Sequence, residues 1–420
     1  MPLALIFLVL LFIGVPVAFV LYLSTVAYVL LTDNFLLFLS FAQQLFSSLE
    51  KYGLLAIPLF LLVGELMEAG GCTRRLVDAA SVFVGTFRGG LAYINLLANM
   101  MMASIMGSAN AQIAIMSRTM VPAMSSRGYD PAMAAATTAA GGLMSPIIPP
   151  SMIFIIYAVL AQVAVGDMFI AGIVPGLIMA AGFIIAVSIL GLMYELPRLE
   201  KKDKKEKLQN LVRGLPSLSI PLIIVSSILL GFATPTESAA VAGVVAWFIG
   251  RYINKELEFA DIWKGFLQAG TNTAVVLILV AMASLFGWVL LFEQVPQSIA
   301  NWVVGLTSDP FYFMLLVNLV LLFLGAVIDG IPAMIMIVPI LLPIAQRVYG
   351  IDPYHFGVVI SINLVLGLLT PPVGTGLYIA SHVAKVKAGK VFMAILPFFL
   401  VVLMMLILLS WQPLLVTFFL

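Results

Sequence analysis

The chain has 420 residues, 63% of them hydrophobic and 9% charged, with a formal net charge of +1. A soluble domain carries about 25% charged residues, so no water-soluble fold can hide this much apolar side chain and lipid must cover part of it. The near-neutral charge gives no case for nucleic acid. One cysteine, Cys72, excludes an internal disulfide and a cysteine metal cluster, and two histidines, His355 and His382, exclude a histidine-rich metal site.

The opening run MPLALIFLVLLFIGVPVAFV is apolar and lacks a basic leader, so it reads as a first membrane helix and not a cleaved signal. Apolar stretches long enough to span occupy 2–31, 35–50, 53–70, 168–194, 216–231, 235–250, 266–292 and 391–418. Between them, 90–126, 132–162, 310–348 and 354–384 are interrupted by Gly, Pro and small polar residues. Such interruptions free backbone groups that only protein or trapped water can satisfy, so these segments point inward, toward a site. The polar run 194–214, with seven basic and four acidic side chains, reads as a solvated loop between two halves.

The halves match at a fixed offset of 222 residues. Gly128-Tyr129-Asp130-Pro131 falls on Gly350-Ile351-Asp352-Pro353, Pro149-Pro150 on Pro371-Pro372, and Pro175 on Pro397; with one gap, Pro122 falls on Pro343. Internal duplication is the usual architecture of secondary transporters. Short loops rich in Lys and Arg stay in the cytoplasm, which puts 194–214 inside and both termini outside. In that threading 17 of the 20 basic residues lie inside, the exceptions being Lys51, Arg118 and Arg347. The expected fold is therefore an all-α polytopic membrane protein of two inverted repeats, each with a re-entrant helical hairpin and a proline-broken helix.

The first hairpin turns at Met106-Gly107-Ser108-Ala109-Asn110-Ala111, where small residues allow close packing and Ser108 and Asn110 bring oxygens to mid-membrane. The break Gly141-Gly142-Leu143-Met144-Ser145-Pro146-Ile147-Ile148-Pro149-Pro150-Ser151 cannot be continuous helix. Its first half-helix ends in free carbonyls that suit a cation, and its second begins with free N–H groups that suit an anion. The second half repeats the pattern with the tip Ile328-Asp329-Gly330-Ile331-Pro332 and the break Gly367-Leu368-Leu369-Thr370-Pro371-Pro372-Val373-Gly374-Thr375-Gly376. Asp329 is an ionisable group at membrane depth, functional by default, and also placed to cap the half-helix that follows. Hydroxyls, amides, carbonyls and one carboxylate make an oxygen-rich set of the kind a hard cation such as sodium prefers. Arg118 is the permanent cation nearest the first tip. Glu65 and Glu68 lie one turn apart, and Thr234-Pro235-Thr236-Glu237 reads as a helix N-cap with a first-turn acid. No phosphate-binding loop, H-E-x-x-H or G-x-S-x-G run occurs, so the chain is read as no enzyme and as driven by an ion gradient or another subunit.

The run GSANAQIAIMSRTMVPAMSSRGYDPAMAAATTAAGGLMSPIIPPSMIFIIYAV with GDMFIAGIVPG resembles the large membrane subunit of tripartite ATP-independent periplasmic (TRAP) transporters. So do IPLFLLVGELMEAGG, ATPTESAAVA and LTPPVGTGLYIAS. The resemblance covers essentially the whole chain. It implies an elevator-type fold in a bacterial inner membrane and sodium-driven import of an organic acid anion, such as a C4-dicarboxylate or sialic acid. It also implies a periplasmic substrate-binding protein that delivers the anion and a small four-helix membrane subunit, expected as a separate chain. The first repeat would then be 1–195, with scaffold helices 1–70, arm 73–88, hairpin 90–126, broken helix 132–162 and span 168–194, followed by a cytoplasmic linker 196–214. The second would be 215–420, with scaffold helices 216–250, span 266–292, arm 296–307, hairpin 310–348, broken helix 354–384 and span 391–418. Carried onto this sequence, sodium would be held by Ser108, Asn110, Gly142 and Ser145, and by Asp329, Gly330, Gly367, Thr370 and Thr375. Substrate would lie near Asn110, Pro150, Ser151 and Thr375. The alternative is a stand-alone sodium- or proton-coupled anion transporter of the same fold.

Overall fold

The computed structural model describes residues 2–84, 88–194, 196–198 and 204–420. Every extended element among them is a helix, and six helices are long and apolar enough to cross a membrane. The first half begins with α1 (Pro2–Phe12), α2 (Val17–Leu31), α3 (Phe38–Leu49) and α4 (Ala56–Ala69), the last entered through a tight turn at Tyr52–Leu55. An arm, α5 (Cys72–Phe83), leads to a hairpin of α6 (Gly90–Met106) and α7 (Ala109–Ser125). A broken helix follows, α8 (Pro131–Gly142) then α9 (Met152–Ala161), and the half closes with α10 (Val165–Met193).

The second half repeats this order from its arm onward, with three helices before the arm in place of four. It runs through α11 (Lys204–Leu229), α12 (Pro235–Phe248), α13 (Phe259–Phe292) and the arm α14 (Val295–Val304). Its hairpin is α15 (Pro310–Gly325) with α16 (Gly330–Arg347), and its broken helix is α17 (Pro353–Gly367) with α18 (Thr375–Ala384). It ends in α19 (Ala388–Trp411) and α20 (Leu414–Thr417).

The matched residues do the same local jobs in both halves. Gly128 and Gly350 turn the chain at φ +89° and +63°, where a side chain would be strained. Asp130 then caps α8, its Oδ1 accepting from the N–H groups of Ala132 at 2.7 Å and Met133 at 3.3 Å. Asp352 caps α17 in the same way, through Tyr354 at 2.8 Å and His355 at 3.1 Å. Pro131 and Pro353 take the first helical position, where the missing N–H costs nothing.

Two expectations are corrected. The stretch 2–31 is not one membrane helix. Gly14, at φ +86°, and Pro16 turn the chain so that α1 folds back onto α2. The polar stretch is not a loop throughout, since α11 is already helical at Lys204 and its first turns lie against the arm α5. Gly214 permits that contact: a Cβ there would sit 2.6 Å from Ala79 Cβ and 3.1 Å from the Arg75 carbonyl. Residues 199–203 of the linker lie outside the described residues.

The packing has two groups. α2, α3, α4 and α12 gather around α13 and one another. The hairpins and broken helices form the other group, with α8 and α17 innermost. All of α8 from Ala134 to Gly142 is buried, and its alanines and glycines let neighbouring backbones approach. α17 is buried from His355 to Gly367 on every side. Contacts between the halves are reciprocal. α7 of the first hairpin packs on α18 of the second break, and α16 of the second hairpin packs on α9 of the first. That reciprocity is expected of halves related by a two-fold axis in the membrane plane.

Candidate functional site

The site is built where hairpin tips meet helix breaks. At the first tip Gly107 takes φ +58°, Ser108 is extended without a side-chain cap bond, and α7 starts at Ala109. The tip rests on the start of α9, since a Cβ on Gly107 would lie 3.4 Å from the Met152 nitrogen. Asn110, in the first turn of α7, reaches the other half: Thr375 Oγ1 donates to Asn110 Oδ1 at 3.0 Å. Two residues expected at both the ion and the substrate positions, from opposite repeats, are therefore in direct contact.

The first break is buried except at Ile148, which is half-buried. Gly142 faces Ile113 of α7 so closely that a Cβ would lie 2.3 Å from Ile113 Cγ1. Ser145 is fully buried, and its Oγ has no hydrogen-bond partner among the described residues. A hydroxyl in that position has two lone pairs to offer a ligand. Ser151 is different. Its hydroxyl donates to the Pro146 carbonyl across the break at 2.5 Å and accepts from Phe154 N–H at 3.3 Å. Its side chain is the brace of the break and the N-cap of α9, which leaves the N–H groups of Met152 and Ile153 for any anion. Pro150 is buried beside it. Against Gly107, Pro150 and Ser151 stand Ile57, Phe60 and Leu61 of α4, which leave a gap of about 10 Å³. α4 thus shuts the expected substrate position.

The second break is more open, with Pro371, Pro372 and Val373 exposed. Its first half-helix ends where Gly367 meets Gly325 of the hairpin, and a Cβ on Gly367 would lie 2.4 Å from the Gly325 carbonyl carbon. Val373 N–H donates to Ala326 O at 3.1 Å, tying the break to the second tip. Thr370 Oγ1 bonds back to Leu366 O at 3.1 Å. Asp329 caps α16, one carboxylate oxygen accepting from Gly330 N–H at 2.7 Å. Asp329 is exposed and has no ion-pair partner among the described residues. Cap and ion ligand can coexist, since a carboxylate has about four lone-pair sites.

Of the other singled-out residues, Arg118 is exposed on α7, while Glu65 packs beside Gly265 of α13. His382 is exposed in the last turn of α18. Thr234 and Glu237 form the expected reciprocal cap, with Glu237 Oε2 accepting from Thr234 N–H at 2.8 Å. A buried polar ladder was missed. Asn95 donates to Thr138 Oγ1 at 2.7 Å, Asn99 to Asn95 Oδ1 at 2.8 Å, and Gln112 to Asn99 Oδ1 at 2.9 Å. It ties both hairpin arms to α8, and Asn99 packs onto Gly141. The second half has its own version, Asn363 to Asn318 Oδ1 at 2.9 Å and Asn318 to Ser410 at 2.9 Å. The four-residue spacing of Asn95 and Asn99 on an apolar helix was the available signal.

Residues 4–415 match the family described as the tripartite ATP-independent periplasmic transporter, DctM component. The chain belongs to this family. It is 38% identical over 374 residues to the C4-dicarboxylate TRAP transporter large permease protein DctM of Pseudomonas aeruginosa, covering 89% of this chain and 87% of that one. It is 36% identical to the 2,3-diketo-L-gulonate large permease protein YiaN of Escherichia coli, covering 96% and 94%. To the sialic acid large permease protein SiaM of Vibrio cholerae it is 34% identical, covering 92% and 90%. The fold is similar to that of the Alcanivorax borkumensis YdaH transporter, with TM-score 0.66, 15% identity, and 89% and 87% of the two chains covered. The chain is thus a multi-pass membrane protein of a bacterial TRAP transporter.

Proposed function

We propose that this large permease imports an organic acid anion, of the C4-dicarboxylate or sugar-acid class carried by its relatives, driven by sodium. The observation that carries the reading is the meeting of Asn110 and Thr375 from opposite repeats, beside a break whose buried Ser145 hydroxyl is unpartnered. Sodium is cargo moved with the anion. Ser108, Asn110, Gly142 and Ser145 supply one oxygen-rich set, and Asp329, Gly330, Gly367, Thr370 and Thr375 the other. The anion sits between them, at Asn110, Thr375, Pro150 and the N–H groups that follow Ser151, where a helix start favours negative charge.

In this reading α6–α9 and α15–α18 form a transport domain, and α1–α4 with α11–α13 form a scaffold. The transport domain slides past α4 in an elevator movement, which uncovers the substrate position now shut by Ile57, Phe60 and Leu61. The termini face the periplasm and residues 196–214 the cytoplasm. A small membrane subunit accompanies the scaffold, and a periplasmic binding protein delivers the anion. The test is uptake of labelled succinate and N-acetylneuraminate into proteoliposomes holding this chain with its small subunit. Uptake should require the added binding protein. Equal uptake without it would establish the rival reading, a stand-alone transporter of the same fold.

A further inference from the structure

Lys51 is one of the basic residues that break the charge rule, and the tip–break site makes no use of it. It sits just before the Tyr52–Leu55 turn, half-buried, and its Nζ donates to the Val159 carbonyl in the last turn of α9 at 2.9 Å. Burial holds its pKa below the ordinary lysine value. Beside this contact is a cavity of about 610 Å³, lined by Lys51 and Tyr52 on one side, by Gln162 at the end of α9, and by Thr234 and Thr236 at the start of α12. That volume is within the roughly 300–1,000 Å³ of small-molecule sites. Lys51 is the one basic group among the described residues lining it. No acid is among the described residues lining it: Glu237 turns into the Thr234 cap, and Glu50 lines a neighbouring cavity that Lys51 also borders. Gly53 lets the walls meet, since a Cβ there would lie 3.1 Å from Val159 Cγ2 and 3.3 Å from Val165 Cγ2.

We propose that this cavity, between the turn before α4, the end of α9 and the start of α12, is an outer capture site for an organic carboxylate, with Lys51 as its cationic group. The carboxylate role rests on the anion-import reading. A carboxylate is a stronger acceptor for an ammonium than a neutral carbonyl. An arriving anion therefore takes Lys51 from Val159 and loosens the contact between the α4 side and the hairpin–break group. Tyr52, Gln162, Thr234 and Thr236 supply hydroxyl and amide groups for the rest of the molecule.

The test needs neither sodium nor uptake, so its failure is separate from failure of the transport reading. Gln162→Cys, at an exposed position, is labelled in right-side-out vesicles with membrane-impermeant sulfonatoethyl and trimethylammonium-ethyl methanethiosulfonates. Labelling from outside should favour the anionic reagent. The anionic-to-cationic rate ratio should fall on the order of tenfold in Lys51→Gln and be kept in Lys51→Arg. A ratio unmoved by Lys51→Gln, or labelling only from the inner face, would overturn the proposal. Folding of each variant is checked by a monodisperse elution profile, with Lys51→Arg as the variant that preserves the charge.

Discussion

Ser145 carries its hydroxyl into the interior without a partner among the described residues, which makes it a clean probe. Ser145→Ala removes no hydrogen bond within the protein, so folding should be unchanged while apparent sodium affinity falls about tenfold; the sodium dependence of uptake reads this directly. An unchanged sodium response would remove Ser145 from the ion site. Asn110 and Thr375 offer a second test. Their single alanine variants should be non-additive, with the double variant scarcely worse than either single one and a coupling of about 1 kcal/mol in apparent binding. Cys72 is a residue the chemistry does not use. It is fully buried, and burial pushes its thiol above the ordinary value. The thiolate is the reactive form, so at neutral pH Cys72 should resist maleimide in folded protein and react after denaturation. At this scale the sequence exposes residue types and not partners. Ser151 and Ser145 are both hydroxyls within one break, yet one is spent bracing Pro146 and the other has no partner among the described residues. The spacing of Asn95 and Asn99 was visible, but Thr138 and Gln112 become their partners only through tertiary packing.

Elements were most legible where Gly, Pro and Asp punctuate the chain. The caps at Asp130 and Asp352 follow from Gly-x-Asp-Pro, because each residue has one local job that its covalent structure dictates. The division of 2–31 at Gly14 and Pro16 carried the same kind of signal, and the continuous hydrophobicity around it masked the turn. The helix at Lys204 carried no such signal. A charged run looks like a loop until the arm α5 packs on it, and that packing lies outside the segment. Glycine contacts make the element scale testable. Gly367 meets Gly325 through backbone, so Gly367→Ala should abolish properly folded yield by pushing α15 and α17 apart. Gly270, within α13, has no atom from beyond its own stretch of helix within 4 Å of the position a Cβ would take. Gly270→Ala should be neutral or stabilise by about 0.5–1 kcal/mol in a thermal-shift measurement.

The molecule as a whole is two copies of one plan locked together crosswise. Each hairpin leans on the second half-helix of the other repeat, so neither half can form the site alone. This explains why the 222-residue offset was informative about function and not only about ancestry. Duplicated prolines marked both breaks, and broken helices within a membrane are where backbone polar groups become available to ligands. The duplication could not reveal which partner half each tip would touch, since that depends on how the repeats dock. The central claim is that the crosswise site couples an organic anion to sodium. Its most direct test is the initial rate of succinate and N-acetylneuraminate uptake into proteoliposomes holding this chain and its small subunit, with binding protein outside and membrane voltage clamped. An inward sodium gradient should drive accumulation above equilibrium, and a proton gradient in sodium-free medium should drive none. Accumulation driven by protons alone, or the same rate with and without sodium, would contradict the account.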